Sequence, residues 1–247
     1  MIKQTRLIMG MPVILMSPDN ITPSELEKIF DFLRYVDKQY SPFIDTSIVT
    51  KINHQQVAEN KYDDELKEIL AWADKTKAES AGYFDVWHND TFDPSGIVKG
   101  WALQKASDML RSITTNFYIE AGGDIQVSGV NDMSKPWRIG IRNPFDRRQN
   151  VAVIELKDYA VATSGIAIRG QHIYDPVSAK TLDDVVSLSV IAPAIIDADR
   201  MATAAFAMGT RGIQFIESML GYEGYMIDKD GIATMTSDWH HFEVNTQ

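Results

Sequence analysis

The hydrophobic period changes along this chain, and the change limits the folds open to it. Apart from a strand expected over residues 6–16, apolar residues recur at helical spacing as far as Arg111 and alternate in the segments from Phe117 to Ala192. The clearest helix start is Thr22-Pro23-Ser24-Glu25, a capping box with proline at the first helical position. Leu26, Ile29, Phe30, Leu33 and Val36 then define one buried face, which ends at Tyr40-Ser41-Pro42. A short helical turn is expected over 47–53. A helix opens at Asp63-Asp64 with Leu66, Ile69, Leu70 and Ala73 inward, and another covers about 96–111. Strands are predicted over 117–120, 125–130, 137–142, 151–156 and 185–192, separated by Gly, Asn, Pro and Asp turns. Helices over about 197–208 and 213–220 precede a hairpin around Asp228-Lys-Asp-Gly231. Helices first and strands mostly in the middle predict an α+β fold, with mixed or antiparallel sheets and flanking helices. No linker, repeat or low-complexity tract divides the chain, so residues 1–247 are expected to form a single compact domain.

The 247 residues are 45% hydrophobic, enough for a sizeable core. A net charge of -10, with no run of Lys or Arg, argues against nucleic acid or an anionic membrane surface as the main partner. An anionic substrate would need a metal or backbone N–H groups to receive it. The absence of cysteine excludes disulfides, thiolate-bound zinc, iron–sulfur clusters and thiol nucleophiles. No apolar run approaches the ~20 residues of a membrane span. With no signal peptide or lipobox, the expectation is a cytoplasmic protein as written; an exported one trimmed of its leader would read the same.

Several short motifs could carry chemistry. Asp93-Pro-Ser-Gly-Ile-Val-Lys-Gly100 runs into a helix and offers a carboxylate, a lysine and free helix-start N–H groups to a metal or an anion. It is not a nucleotide-binding P-loop, because its lysine precedes the glycine. Asp199 and Thr203, four apart on a helix, share one face and offer oxygen to a hard cation; a plain acidic helix start reads the same way. His172-Ile-Tyr-Asp175-Pro could provide a general base with its orienting carboxylate, or simply a turn. Glu120-Ala-Gly-Gly-Asp124 joins two strands and lets a ligand approach the backbone, or forms a bulge. His54, His88, His240 and His241 are expected at the surface.

The order of these motifs resembles the ApbE family of FAD:protein FMN transferases. The resemblance rests on Asp93-x-Ser-Gly-Ile-Val-Lys-Gly, Ala-Gly-Gly-Asp124, Ala-Thr-Ser-Gly165, His172-Ile-x-Asp-Pro and Ala198-Asp-x-x-Ala-Thr203. Met9-Gly10, residues 47–53 and Gly82-Tyr-Phe-Asp85 extend it over most of the chain. It implies a T-fold-like domain and transfer dependent on Mg²⁺ or another divalent cation: FAD is split at its pyrophosphate, AMP leaves, and FMN is esterified to a Thr or Ser hydroxyl of an acceptor flavoprotein. Asp199 and Thr203 would be metal ligands, joined by the backbone carbonyl of Val98, which stands where the family usually has alanine. Lys99 would face the pyrophosphate. His172, with Asp175 nearby, would assist deprotonation of the attacking hydroxyl. Met9, Phe43, Gly122, Gly123, Asp124 and Ser164 would line the flavin or adenine pocket. The chain departs from the family at Ser41-Pro42-Phe43, where a tyrosine hydroxyl is missing, and in a short segment between Ser164 and His172. Two other readings share the same residues: an FAD hydrolase with water as acceptor, and a non-catalytic FAD-binding module.

Overall fold

The computed structural model describes residues 1–146, 148–166 and 184–244. The segment 6–16 expected as one strand is a hairpin: β1 (Ile2–Ile8) and β2 (Met11–Ser17) pair antiparallel, with Ile8 opposite Met11. Met9 and Gly10 turn the chain with φ of 55° and 69°. A left-handed pair suits a two-residue hairpin turn, but Met is an unusual first member, so nothing but Gly10 signalled it.

The first three predicted helices start on side-chain caps. Helix α1 (Pro23–Tyr40) starts on the capping box: Glu25 N donates to Thr22 Oγ1 at 3.3 Å, and Thr22 N donates to Glu25 Oε2 at 2.8 Å. Helix α2 (Ile48–Asn53) is capped by Ser47, whose Oγ accepts from Thr50 N at 3.1 Å. Helix α3 (Asp64–Glu79) is capped by Asp63, which accepts from Leu66 N at 2.8 Å. Two strands of two residues each, β3 (Trp87–His88) and β4 (Thr91–Phe92), lead into α4 (Ser95–Arg111).

From there the chain builds the sheet. In order come β5 (Phe117–Ala121), β6 (Asp124–Ser128), the separate pair β7 (Trp137–Arg142) and β8 (Asn150–Leu156), β9 (Ala160–Gly165) and β10 (Val185–Ala192). Helices α5 (Ile195–Ala207) and α6 (Gly212–Glu217) follow, then β11 (Glu223–Asp228) and β12 (Ala233–Met235), which form the expected hairpin. The main sheet has the order β1-β2-β5-β6-β9-β10-β11-β12, and each neighbouring pair is antiparallel.

Period-two alternation gives this sheet two different faces. Phe117, Ile119, Ala160 and Ala162 pack with the helices in one core; Tyr118, Val127 and Val161 pack with Trp137, Ile139 and Ile154 of the β7–β8 hairpin in the other. Central β10 is buried at every position, because it is covered on both sides. Trp101 anchors α4 in the helical core, edge-on to Tyr40 with ring centroids 5.9 Å apart. Arg200 ties α5 to α3: its guanidinium pairs with Glu79 and with Asp197 Oδ1 at 2.7 Å, and lies over the Trp72 ring. No helix among the described residues is long and apolar enough to cross a membrane.

Candidate active site

At one end of the sheet the Met9-Gly10 turn, the β5–β6 turn, the end of β9 and the start of β10 converge. The segment from Tyr83 to Gly96, one face of α5 and strand β7 close around them, forming a cavity of about 1380 Å³. Gly122 and Gly123 form the β5–β6 turn with φ of 63° and 98°, a conformation that side-chain-bearing residues rarely adopt, and both line the cavity.

On the helical side, α4 and α5 come together where α4 has no side chain. A Cβ on Gly100 would lie 2.9 Å from both Cβ and Oδ2 of Asp199 and 3.2 Å from Ile196 Cα. This close approach brings Asp199 to Lys99, whose ammonium lies 3.2 Å from Asp199 Oδ1. The same ammonium is hydrogen-bonded to Asp124 at the start of β6. Asp124 is 1% exposed and its other oxygen accepts from Thr163 N at 3.2 Å. Burial alone would depress the Lys99 pKa, but the two flanking carboxylates outweigh it and hold that pKa above its ordinary value. Burial pushes the Asp124 carboxyl above its ordinary value against the pull of Lys99, with the Asp199 charge adding to the rise.

Asp199 is 4% exposed, and among the described residues its Oδ2 has no hydrogen-bond partner. One turn along α5, the Thr203 hydroxyl lies 3.3 Å from that of Ser164 at the end of β9. An orphaned buried carboxylate oxygen with hydroxyls from neighbouring elements is an all-oxygen donor set, which fits a hard divalent cation. Val98 stands in the first turn of α4 with its side chain in the helical core. Its carbonyl occupies the helix's own i→i+4 position and keeps a second lone pair.

The structure therefore brings together Met9, Lys99, Gly122, Gly123, Ser164, Asp199 and Thr203 at one cavity. It puts two residues elsewhere than expected and gives a third, Lys99, other partners than expected. Phe43 is 92% exposed and is not part of the cavity wall. Asp124 does not line the flavin pocket but lies beneath it, paired with Lys99. Lys99 reaches the cavity, yet its ammonium is committed to two carboxylates rather than left for a pyrophosphate. The helix start is also less open to anions than Asp93–Gly100 suggests: Ser95 N donates to Asp93 Oδ1 at 2.9 Å and Ile97 N to the Pro94 carbonyl at 2.9 Å. His172 and Asp175 lie outside the described residues. His54, His88, His240 and His241 are exposed as expected, with His88 on the cavity wall.

Two basic residues of the cavity escaped the sequence reading. Arg138 and Arg142 line it from β7, on the face opposite Trp137, Ile139 and Ile141. The alternation of that strand contained the signal: its polar positions are arginines in a chain of net charge -10.

Comparisons with known proteins bear on the family and the fold. The ApbE family model matches residues 87–226. An FAD:protein FMN transferase of Vibrio cholerae is 37% identical over 138 residues, 51% of this chain and 41% of that protein. The FAD:protein FMN transferase of Escherichia coli is 27% identical over 155 residues, 58% of this chain and 44% of that protein. The matched stretches thus span less than half the length of these relatives. In fold, the crystal structure of the ApbE protein from Thermotoga maritima superposes with a TM-score of 0.87 at 22% identity, covering 99% of both chains. The flavin transferase ApbE from Vibrio cholerae gives 0.84 at 23% identity, covering 98% of both. The α+β architecture is shared throughout, more than half of this chain fits the family model, and the chain belongs to the ApbE family.

Proposed function

We propose that this protein transfers the FMN moiety of FAD to a threonine or serine hydroxyl of a flavoprotein, forming a phosphoester and releasing AMP. The observation that carries this reading is the buried Asp199 Oδ2, unpartnered among the described residues, on a cavity wall that also carries the Thr203 and Ser164 hydroxyls. It lies at a cavity larger than the ~300–1,000 Å³ of ordinary small-molecule pockets. The names of the relatives supply the substrate for that chemistry.

Asp199 and Thr203, with the Val98 carbonyl, would hold Mg²⁺ or another divalent cation. When bound, such a cation neutralises charge on phosphate oxygens. The chain's own residues do the rest. Met9 and the bare backbone of Gly122 and Gly123 wall the flavin dinucleotide, and Ser164 closes the cavity beside Thr203. Arg138 and Arg142 offset phosphate charge in an acidic protein. His172, which the family resemblance assigns as the base, takes the proton of the acceptor hydroxyl. The acceptor oxygen then bonds to the FMN phosphorus, and the bond from that phosphorus to the bridging oxygen breaks with AMP as leaving group. Phosphoryl-type transfer needs mainly such positioning and charge neutralisation.

The test incubates the protein with FAD, Mg²⁺ and a candidate acceptor flavoprotein, read by intact mass and AMP release. Covalent flavin on the acceptor supports transfer. Free FMN and AMP without labelling identify a hydrolase, and bound FAD without turnover a binding module. Asp199→Asn should lower Mg²⁺-dependent AMP release on the order of 10²-fold or more, the scale lost with one charge-stabilising group. Undiminished release would remove Asp199 from the metal site.

A further inference from the structure

Asp124 touches no ligand-accessible surface of the cavity, yet both of its oxygens are committed to the site's framework. One receives the Lys99 ammonium and the other the backbone N–H of Thr163 in β9. Lys99 in turn reaches only Oδ1 of Asp199, and Oδ2 is the atom left without a partner among the described residues. We infer that Asp124 is a positioning residue for the metal site, acting through Lys99: it draws the ammonium to one oxygen of Asp199 and so keeps the other open for the cation. The inference rests on the reading of Asp199 as a metal ligand.

The reason is competition. An ammonium carries three donors on a flexible stem and can settle on both oxygens of a lone carboxylate. Left alone with Asp199 in a buried site, Lys99 would form a neutral pair there, and a divalent cation would meet repulsion with no net attraction. Asp124, pinned by Thr163, adds the second negative charge. Two carboxylates and one ammonium leave one net negative charge for the cation. A purely structural ion pair, stapling α4 to β6 and β9, would instead affect the fold and leave metal affinity alone.

Titration calorimetry of the full chain with MgCl₂, in the absence of FAD, reads the metal site without turnover. Asp124→Asn is expected to bind Mg²⁺ about 10- to 100-fold more weakly than wild type, the usual effect of losing a partner behind a ligand. The double variant Lys99→Met/Asp124→Asn restores the net charge and removes the competing ammonium, so its affinity should return to within about threefold of wild type. Removing both partners of a buried pair is also the gentler change for the fold, so the double variant tests the inference even if the single one unfolds. Circular-dichroism melts of the metal-free proteins establish which variants are folded. An unchanged affinity in Asp124→Asn, or a double variant that remains ten or more times weaker, overturns the inference and spares the metal site. No Mg²⁺ binding by wild type, with AMP release independent of the metal, overturns both.

Discussion

Met9 has a φ of 55°, a conformation in which a side chain costs roughly 1 kcal/mol and which glycine adopts freely. The turn is held from outside, since Met9 N donates to Asp37 Oδ2 at 2.9 Å in α1. Such strain persists where surrounding structure imposes it and often marks a ligand wall. Met9→Gly should therefore keep or raise the melting temperature while weakening FAD binding severalfold, measured by flavin-fluorescence titration alongside thermal melts. A variant that melts lower and binds FAD as before would assign Met9 to packing instead. Legibility at this scale was uneven. That Asp199 and Thr203 share one helix face was legible because four residues on a helix is a local spacing. The Lys99–Asp124 pair was not, because residues 25 apart on a helix and a strand meet only through the tertiary fold.

Strand β7 brings Arg138 and Arg142 to the cavity from one face and Ile139 and Ile141 from the other, and its polar face can be tested alone. Arg142→Ala should raise the FAD dissociation constant about tenfold, the low end for a charge-assisted contact, with little change in melting temperature. Equal FAD affinity would place the dinucleotide away from β7. On the opposite face of the sheet, Arg200 is almost fully buried between α3 and α5. Arg200→Ala should destabilise the protein by roughly 3 kcal/mol, the lower end for a broken buried pair, because Glu79 and Asp197 keep some contact with water. Denaturant unfolding reads this directly, and a loss below about 1 kcal/mol would mean that the pair is no better than a surface one. Helices with sequence-encoded caps were predicted well, since a cap is a local chemical signal. The β1–β2 hairpin was missed because Met is a poor turn marker, and β3 and β4 because two residues show no periodicity.

Across the whole molecule, the main sheet keeps its strands in chain order, with helices and the β7–β8 hairpin inserted between them. Period alone indicated the α+β class, but not that one end of the sheet would gather residues from Met9 to Ala207 into a single cavity. Strand order is set by register and crossover packing, which no local pattern carries. The dispersion of the cavity wall has a consequence for the protein's birth. A nearly sequential antiparallel sheet can grow strand by strand as the chain leaves the ribosome. The oxygen donors on α5, however, are synthesised after most of that sheet. A nascent chain can therefore have much of its architecture in place and still lack the ligands proposed for the metal, so that competence at the proposed site would arrive abruptly and late in translation.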